Sequence, residues 1–435
     1  MNITGIRTVD LRFPTSRFSI GSDAVNKDPD YSAAYCILET DGGVEGHGLT
    51  FTLGRGTELC VAAMEYLSRF VVGRRLEDIT SDFAAFSRSL TGDTQFRWLG
   101  PEKGVIHLAA AGLINAVWDL YAKVSGKPLW LLLAEMSPEE IVRAIDFQYI
   151  DDALSPEEAL NMLRNQQAGR AERIAHLRQH GYQAYTTSVG WFGFSDDKIR
   201  QLCDEALSEG WTYFKLKVGG EAQDDLRRGH LVRQEIGWDN RLMVDANQRW
   251  GVNEAIRRTL QLKELNPWWM EEPTSPDDIL GHARIRKETG VRIATGEHCH
   301  SKVMFKQLLQ ANSIDVCQID SCRVAGVNEN LAIILMAAKF GVPVCPHAGG
   351  VGLCEYVQHL SAFDYVCVSA SMQDRVIEYV DHLHEHFLTP VRIRRGHYLM
   401  PEEPGYSIQI RQESLDEYAF PNGTFWRKEL AEEIG

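Results

Sequence analysis

The chain has 435 residues, too many for one ordinary domain of about 100–200 residues but enough for an αβ barrel of about 250 with a domain appended. Its 45 Lys and Arg against 60 Asp and Glu give a formal charge of −15, which argues against a nucleic-acid or anionic-membrane partner. With 44% hydrophobic and 24% charged residues, wholesale disorder is excluded; an anionic small molecule stays open, because a few cations reverse the field inside one pocket.

The opening residues alternate as a strand. A polar, turn-rich segment (16–30) follows, and then AAYCILET (33–40) and GVEGHGLTF (43–51) flank Asp41-Gly42, a hairpin signal. Helical patterns run over 57–72, around 80–90 and over 104–125, the last stopped at Gly126-Lys127-Pro128. Together these predict an α+β domain over residues 1–135. No apolar run comes near the ~18 residues of a membrane span, the best being 331–338, so no membrane is expected. Arg7, Asp10 and Arg12 interrupt what would be the core of a signal peptide.

From about residue 183 the texture changes to short apolar strands alternating with helical stretches: YFKLKVG (213–219), RLMVDAN (241–247), WWMEEP (268–273), RIATGE (292–297), VCQIDS (316–321) and VPVCPHA (342–348). Such alternation means parallel β-α-β units, and residues 136–388 are assigned to them. The first strand of the set is either 143–150 or 183–188, and the eighth is either YVCVSAS (365–371) or RVIEYV (375–380). The final residues, 389–435, contain the strand-like PVRIRRGHYLM and GYSIQIR and are expected to return to the first domain. Nine scattered cysteines without a C-x-x-C pair read as reduced thiols of a cytoplasmic protein.

Each strand of the alternating region ends in an ionisable residue. Lys217, Asp245, Glu271, Glu297, Asp320, His347 and Glu378 follow one another at intervals of 28, 26, 26, 23, 27 and 31 residues. A closed parallel barrel points all strand C-termini at one face and gathers these groups in one pocket; an open sheet would strew them along a ridge. The spacing favours the barrel.

Asp245, Glu271 and Glu297 are carboxylates on consecutive strands and would repel one another unless a cation joined them. Three oxygen ligands suit Mg²⁺, with Mn²⁺ as a substitute. Lys215 and Lys217 share one strand face, and their mutual repulsion is expected to push one toward the neutral base form. On the other flank Asp320 can orient His347 and keep it protonated. A metal with a base on each side describes proton abstraction beside a carboxylate, through a metal-stabilised enediolate.

Other motifs carry less. Glu272 is an accessory group or faces away. His382, His384 and His386 have period 2 within an expected helix and read as a solvated surface. Among Glu297-His298-Cys299-His300 only Glu297 keeps the strand-end register. Gly349-Gly350-x-Gly352 lacks the Lys and Ser/Thr of a P-loop. Cys345 and Cys354 lack a triad context, and Trp268 and Trp269 read as packing.

These residues also resemble a known pattern, that of the mandelate-racemase-like subgroup of the enolase superfamily: K-x-K, D-x-N, E-E-P, G-E, then an Asp/His dyad. More narrowly, DPDYSAAY, WLGPEKGV, VDANQRW, EEPTSPDDILGHA, QIDSCR, CPHAGGVGLCE and EYVDHLHEHF are similar to the L-fuconate dehydratases; relatives often carry Gln where this chain has His298. The resemblance implies a modified TIM barrel of (β/α)7β type under an N-terminal α+β capping domain that the C-terminal segment completes. It implies Asp245, Glu271 and Glu297 as Mg²⁺ ligands, Lys217 and His347 as acid/base groups, and Asp320 as partner of His347. Lys215 would add positive charge at the substrate, and Glu378, protonated, would hydrogen-bond the enediolate. Gly21, Ser22, Asp23 and Tyr31 of the capping loop would approach the sugar acid.

The expected activity is dehydration of L-fuconate to its 2-keto-3-deoxy acid. A galactonate- or gluconate-type dehydratase and a racemase or epimerase are the alternatives, and a non-catalytic barrel is disfavoured by the intact residue set. A homo-oligomer is a weaker expectation.

Overall fold

The computed structural model describes residues 1–434. The chain begins with three antiparallel strands, β1 (Ile3–Arg12), β2 (Ser32–Thr40) and β3 (Gly46–Thr52), with β2 in the middle and the Asp41-Gly42 turn between β2 and β3. The helix Gly104–Val124 lies against β3. A Cβ on Gly48 would run into the helix backbone at Gly112, so the glycine sets how closely helix and sheet approach. This helix corrects the reading of 331–338 as the best apolar run: with mean hydropathy 1.4 over an 18-residue window it is long and apolar enough to cross a membrane. Yet 83% of that window is buried inside the protein. It is the central helix of the first domain, and it also faces the barrel, where Trp118 Nε1 donates to Asn328 Oδ1 at 2.9 Å.

The barrel is built from β4 (Tyr182–Gly190), β5 (Tyr213–Lys217), β6 (Arg241–Asp245), β7 (Met270–Glu271), β8 (Ile293–Thr295) and β9 (Val316–Cys317), each parallel to the next. Bridges Cys317–Val344 and Asp320–His347 carry the following segment, and β10 (Ile377–Tyr379) pairs back onto β4 to close the ring. Helices such as Asp196–Ser208, Ala222–Ile236 and Gly326–Lys339 fill the crossovers, giving the expected (β/α)7β barrel. Inside it, below the strand ends, Tyr185, Met243, Trp268, Trp269, Ala294, Val316, Cys345 and Val376 form a buried apolar cluster.

Several expectations are corrected. Residues 143–150 are not a strand: the helix Pro138–Arg143, fixed by a capping box of Ser137 and Glu140, runs up to that segment and turns follow. β4 is therefore the first barrel strand. YVCVS is not the eighth, because Asp364–Ser369 prolongs the helix Leu353–Phe363 as a π-helical turn. The stretch PVRIRRGHYLM does not go to the first domain. It forms a hairpin, β11 (Ile393–Arg394) and β12 (His397–Tyr398), whose second strand pairs antiparallel with β4. Only later residues reach the first domain, where Tyr406 N–H meets Asp119 Oδ1 at 2.7 Å and Ile410 N–H meets the Tyr35 hydroxyl at 3.1 Å. GYSIQIR holds only isolated bridges, Gly405 to Pro128 and Ile410 to Phe387, not a strand.

The three histidines of DHLHEHF are packed rather than solvated. Leu383 adopts φ +69 and breaks any helix, leaving a short 3-10 turn at His384–His386. His384 then reaches Glu355 Oε1 and Val380 O, both at 2.7 Å. All nine cysteines are free and buried.

Candidate active site

The strand ends converge on a cavity of about 260 Å³ lined by Lys217, Glu297, His347 and Glu378 from the barrel and by Gly21, Asp23, Tyr31 and Phe51 from the first domain. Strand alternation turns Lys215 and Lys217 of β5 inward together. Lys215, wholly buried, places Nζ 2.7 Å from Glu271 Oε1, 2.6 Å from Glu378 Oε1 and 3.4 Å from Asp245 Oδ2. Lys217 Nζ lies 2.6 Å from Asp245 Oδ2.

This geometry runs against the expected neutral lysine. Burial disfavours the charge on Lys217, but Asp245, Asp23 and Glu297 outweigh both burial and Lys215, and the pKa rises. Lys215 is likewise held charged against burial, chiefly by Glu271 and Glu378. Glu378, expected to be protonated toward the enediolate, is drawn toward its ionised form. Burial pushes its pKa up, but Lys215 and His347 pull it below the usual range, and its second oxygen accepts the Ala348 amide at 2.8 Å.

On the far flank His347 Nδ1 meets Asp320 Oδ2 at 2.8 Å, and Asp320 is itself fixed by the amides of Cys322 and Arg323, both at 2.8 Å. Burial disfavours the imidazolium, yet Glu297, Asp320 and Glu378 lift it to about 9. His347 Nε2 faces Glu297 Oε2 at 3.8 Å and Glu378 Oε2 at 4.0 Å.

The three strand-end acids are buried and offer only oxygen. Burial, and then Asp245, push Glu271 up to about 8, the mark of a carboxylate set short of positive charge. A hard divalent cation such as Mg²⁺ fits that donor set. Asp245 and Glu271 are turned to the lysines. The tightest group of acid and imidazole ligand atoms, all within 4.8 Å of one another, is instead Glu272, Glu297 and His298. His298 is lifted to about 10, Glu272 and Glu297 together outweighing burial.

In the capping loop, Gly21, Asp23 and Tyr31 line the cavity. Gly21 holds φ +74, and a Cβ there would overlap the Tyr31 ring. Ser22 is not among the lining residues; its hydroxyl donates to Lys27 O at 3.1 Å and ties the loop to itself.

Four contributors escape a reading of the sequence. Trp269 Nε1 donates to Glu271 Oε2 at 2.9 Å, so the residue read as packing orients an acid; its position two before Glu271, hence on the same face, was the available signal. Thr187 and Asn247 line the cavity with buried oxygens that have no protein partner, a fit to a ligand rich in hydroxyls. Arg323 lines it too, its Nε donating to Glu297 O at 3.3 Å; no spacing marked it.

Fold and site together define the class: a capped (β/α)7β barrel with an acid centre between a lysine flank and an Asp/His flank. Residues 198–414 match the family model "Enolase C-terminal domain-like", and 23–134 match "Mandelate racemase / muconate lactonizing enzyme, N-terminal domain". The chain is 54% identical to L-galactonate dehydratase of Hypocrea jecorina over 98% of its own length and 96% of the relative's. The crystal structure of human mitochondrial enolase superfamily member 1, at 55% identity, superposes with a TM-score of 0.98 over 99% of this chain and 98% of that one. L-talarate dehydratase from Polaromonas sp. JS666, crystallised with Mg and L-glucarate, shares the fold at 23% identity and a TM-score of 0.73, over 96% and 97% of the two chains. The chain belongs to the enolase superfamily.

Proposed function

We propose that the protein is a Mg²⁺-dependent dehydratase of aldonic acids with the L-galacto configuration. L-Galactonate, the substrate named for the Hypocrea relative, is the first candidate, and L-fuconate, its 6-deoxy analogue, is the second. The observation that carries this reading is the presence of Lys217 and His347 on one cavity with a strand-end acid, Glu297, 3.8 Å from the histidine.

Asp245, Glu271 and Glu297 would hold the metal. A Mg²⁺ held there would supply Lewis-acid stabilisation of charge on the substrate carboxylate and would offset the acids that otherwise keep Lys217 charged. Lys217 then takes the C2 proton. Asp320 holds His347 through Nδ1, so that Nε2 gives its proton to the departing 3-hydroxyl. Lys215, anchored by ionised Glu378, adds a fixed positive charge near the developing negative oxygen. The product enol ketonises to a 2-keto-3-deoxy acid.

The test is release of 2-keto acid from a panel of sugar acids supplied with Mg²⁺. L-Galactonate and L-fuconate should be turned over and D-gluconate should lag far behind. Exchange or inversion at C2 without water loss from any member would assign a racemase or epimerase instead.

A further inference from the structure

The cavity carries a second carboxylate–imidazole pair, and dehydration as derived above has no use for it. Glu272 is fully buried and holds φ +41, a conformation that a non-glycine residue keeps only where its surroundings enforce it. Its carboxylate lies 3.1 Å from His298 Nδ1 through one oxygen and 2.7 Å from Gln248 Nε2 through the other, and Gln248 Nε2 also stands 2.7 Å from His298 Nδ1. One edge of the His298 ring is thus clamped between two side chains.

The other edge is left free. His298 Nε2 has no protein partner among the described residues, the side chain is 34% exposed, and the ring lines the cavity. Of the histidines outside the site, His47 and His282 also leave Nε2 without a hydrogen-bond partner, but there it is buried away from the cavity. His384 uses both nitrogens, on Glu355 and Val380, and so does His359, on the Trp130 amide and the Ser407 hydroxyl. His347 also lines the cavity but uses both nitrogens, Nδ1 on Asp320 and Nε2 on the Gly349 amide at 3.2 Å, whereas His298 meets Glu297 through Nδ1 at 3.4 Å and so turns Nε2 elsewhere.

We propose that His298 determines substrate specificity: its Nε2 pairs with a hydroxyl of the sugar acid beyond C3, and Glu272 with Gln248 fix the ring for that contact. The assignment rests on the acid-sugar reading of the site. Carbons 1 to 3 are taken by Lys217, His347 and the acid centre, so an oriented nitrogen elsewhere in the cavity is left to read the remainder of the chain. A ring nitrogen pairs with a hydroxyl in either protonation state, since the hydroxyl both donates and accepts. A site built to pair a hydroxyl discriminates strongly against an analogue lacking it.

The experiment measures binding of L-galactonate and its 4-, 5- and 6-deoxy analogues by calorimetry with Mg²⁺ present, in the Lys217→Ala background so that nothing turns over. With His298 in place, one analogue should bind at least about tenfold more weakly than L-galactonate. In His298→Ala that difference should shrink to within about twofold, and His298→Gln, which keeps a polar group at that edge, should restore part of it. Mg²⁺ affinity without sugar acid should be unaffected in both variants. Penalties that survive in His298→Ala, a lack of any penalty with His298 present, or a tenfold loss of Mg²⁺ affinity in His298→Ala would each overturn the assignment, the last making His298 a support for Glu297. Wild-type turnover of the same four acids separates the two readings. Keto-acid release without the binding pattern defeats the His298 assignment alone; the binding pattern without keto-acid release defeats the dehydratase reading alone. If none of the four binds, both fall.

Discussion

The two flanks of the site hold their proton carriers in different ways. Lys217 shares Asp245 with Lys215, and Lys215 in turn reaches Glu271 and Glu378, so protonation on that side belongs to a pool of acids and amines. His347 has Asp320 at 2.8 Å, and Asp320 is pinned by backbone amides. Both flanks therefore respond to the charge of the acid centre, the histidine through Glu297 and Glu378, but only the histidine has in addition a pinned carboxylate of its own. A base that must give up its proton is suited to the first arrangement. An acid that must keep one until late is suited to the second.

The strongest way to break this contrast is to remove the metal. Chelation should abolish keto-acid release and Mg²⁺ should restore it, because without a cation the acids hold Lys217 protonated. Full activity after exhaustive metal removal would mean the lysine flank does not depend on the pool. Next, Lys217→Ala should lose both dehydration and exchange of the C2 hydrogen with D₂O, read by proton NMR. His347→Asn should keep that exchange while dehydration falls by about 10²–10⁴-fold. If the lysine variant keeps the exchange and the histidine variant loses it, the roles of the flanks are swapped.

A smaller effect sharpens the picture of the acid centre. Trp269→Phe removes the indole donor 2.9 Å from Glu271 while keeping an aromatic ring in the barrel interior. Mg²⁺ should then bind about 10–100-fold more weakly by calorimetry, with the fold retained; unaltered affinity would reduce Trp269 to packing.

The smallest expected change concerns the histidine flank in metal-free protein. The His347 pKa is raised from 6.5 to about 9, so its contribution to stability is complete below pH 6.5 and is lost as the pH climbs through about 9. Thermal melts of metal-free protein should show that loss between pH 6.5 and 9. In Asp320→Asn the NMR titration midpoint of His347 should move down and the alkaline loss should shrink. An unmoved midpoint would show that His347 answers to Glu297 and Glu378 more than to Asp320.

The barrel and its strand-end acids were legible because one charged residue per β-α unit is a long-range regularity that few other arrangements produce. Protonation states were not. Lys215 and Lys217 repel each other in sequence as in space, but the number of carboxylates around them is set by which strands become neighbours. The first strand hid because YQAYTTSVG is polar toward its cavity end, where Thr187 faces the site, while 143–150 alternates without being extended. YVCVS carries β-branched residues in a strand-like pattern, yet continuity with the preceding helix overrides that preference. The hairpin at 393–398 was visible as strand but its partner was not, since pairing with β4 depends on the closure of the ring.

That pairing has a consequence for how the molecule comes into being. β4 receives β10 along residues 184–186 and β12 at 182–183, both from the last part of the chain to be synthesised. Every strand-end acid from Asp245 to Glu297 leaves the ribosome well before the strands that close the ring around it. A nascent chain halted short of residue 377 would own the whole acid centre and lack its enclosure, with β4 still open toward solvent. The first and last strands of the barrel thus act as a clasp, and the pocket is finished only when the clasp is fastened.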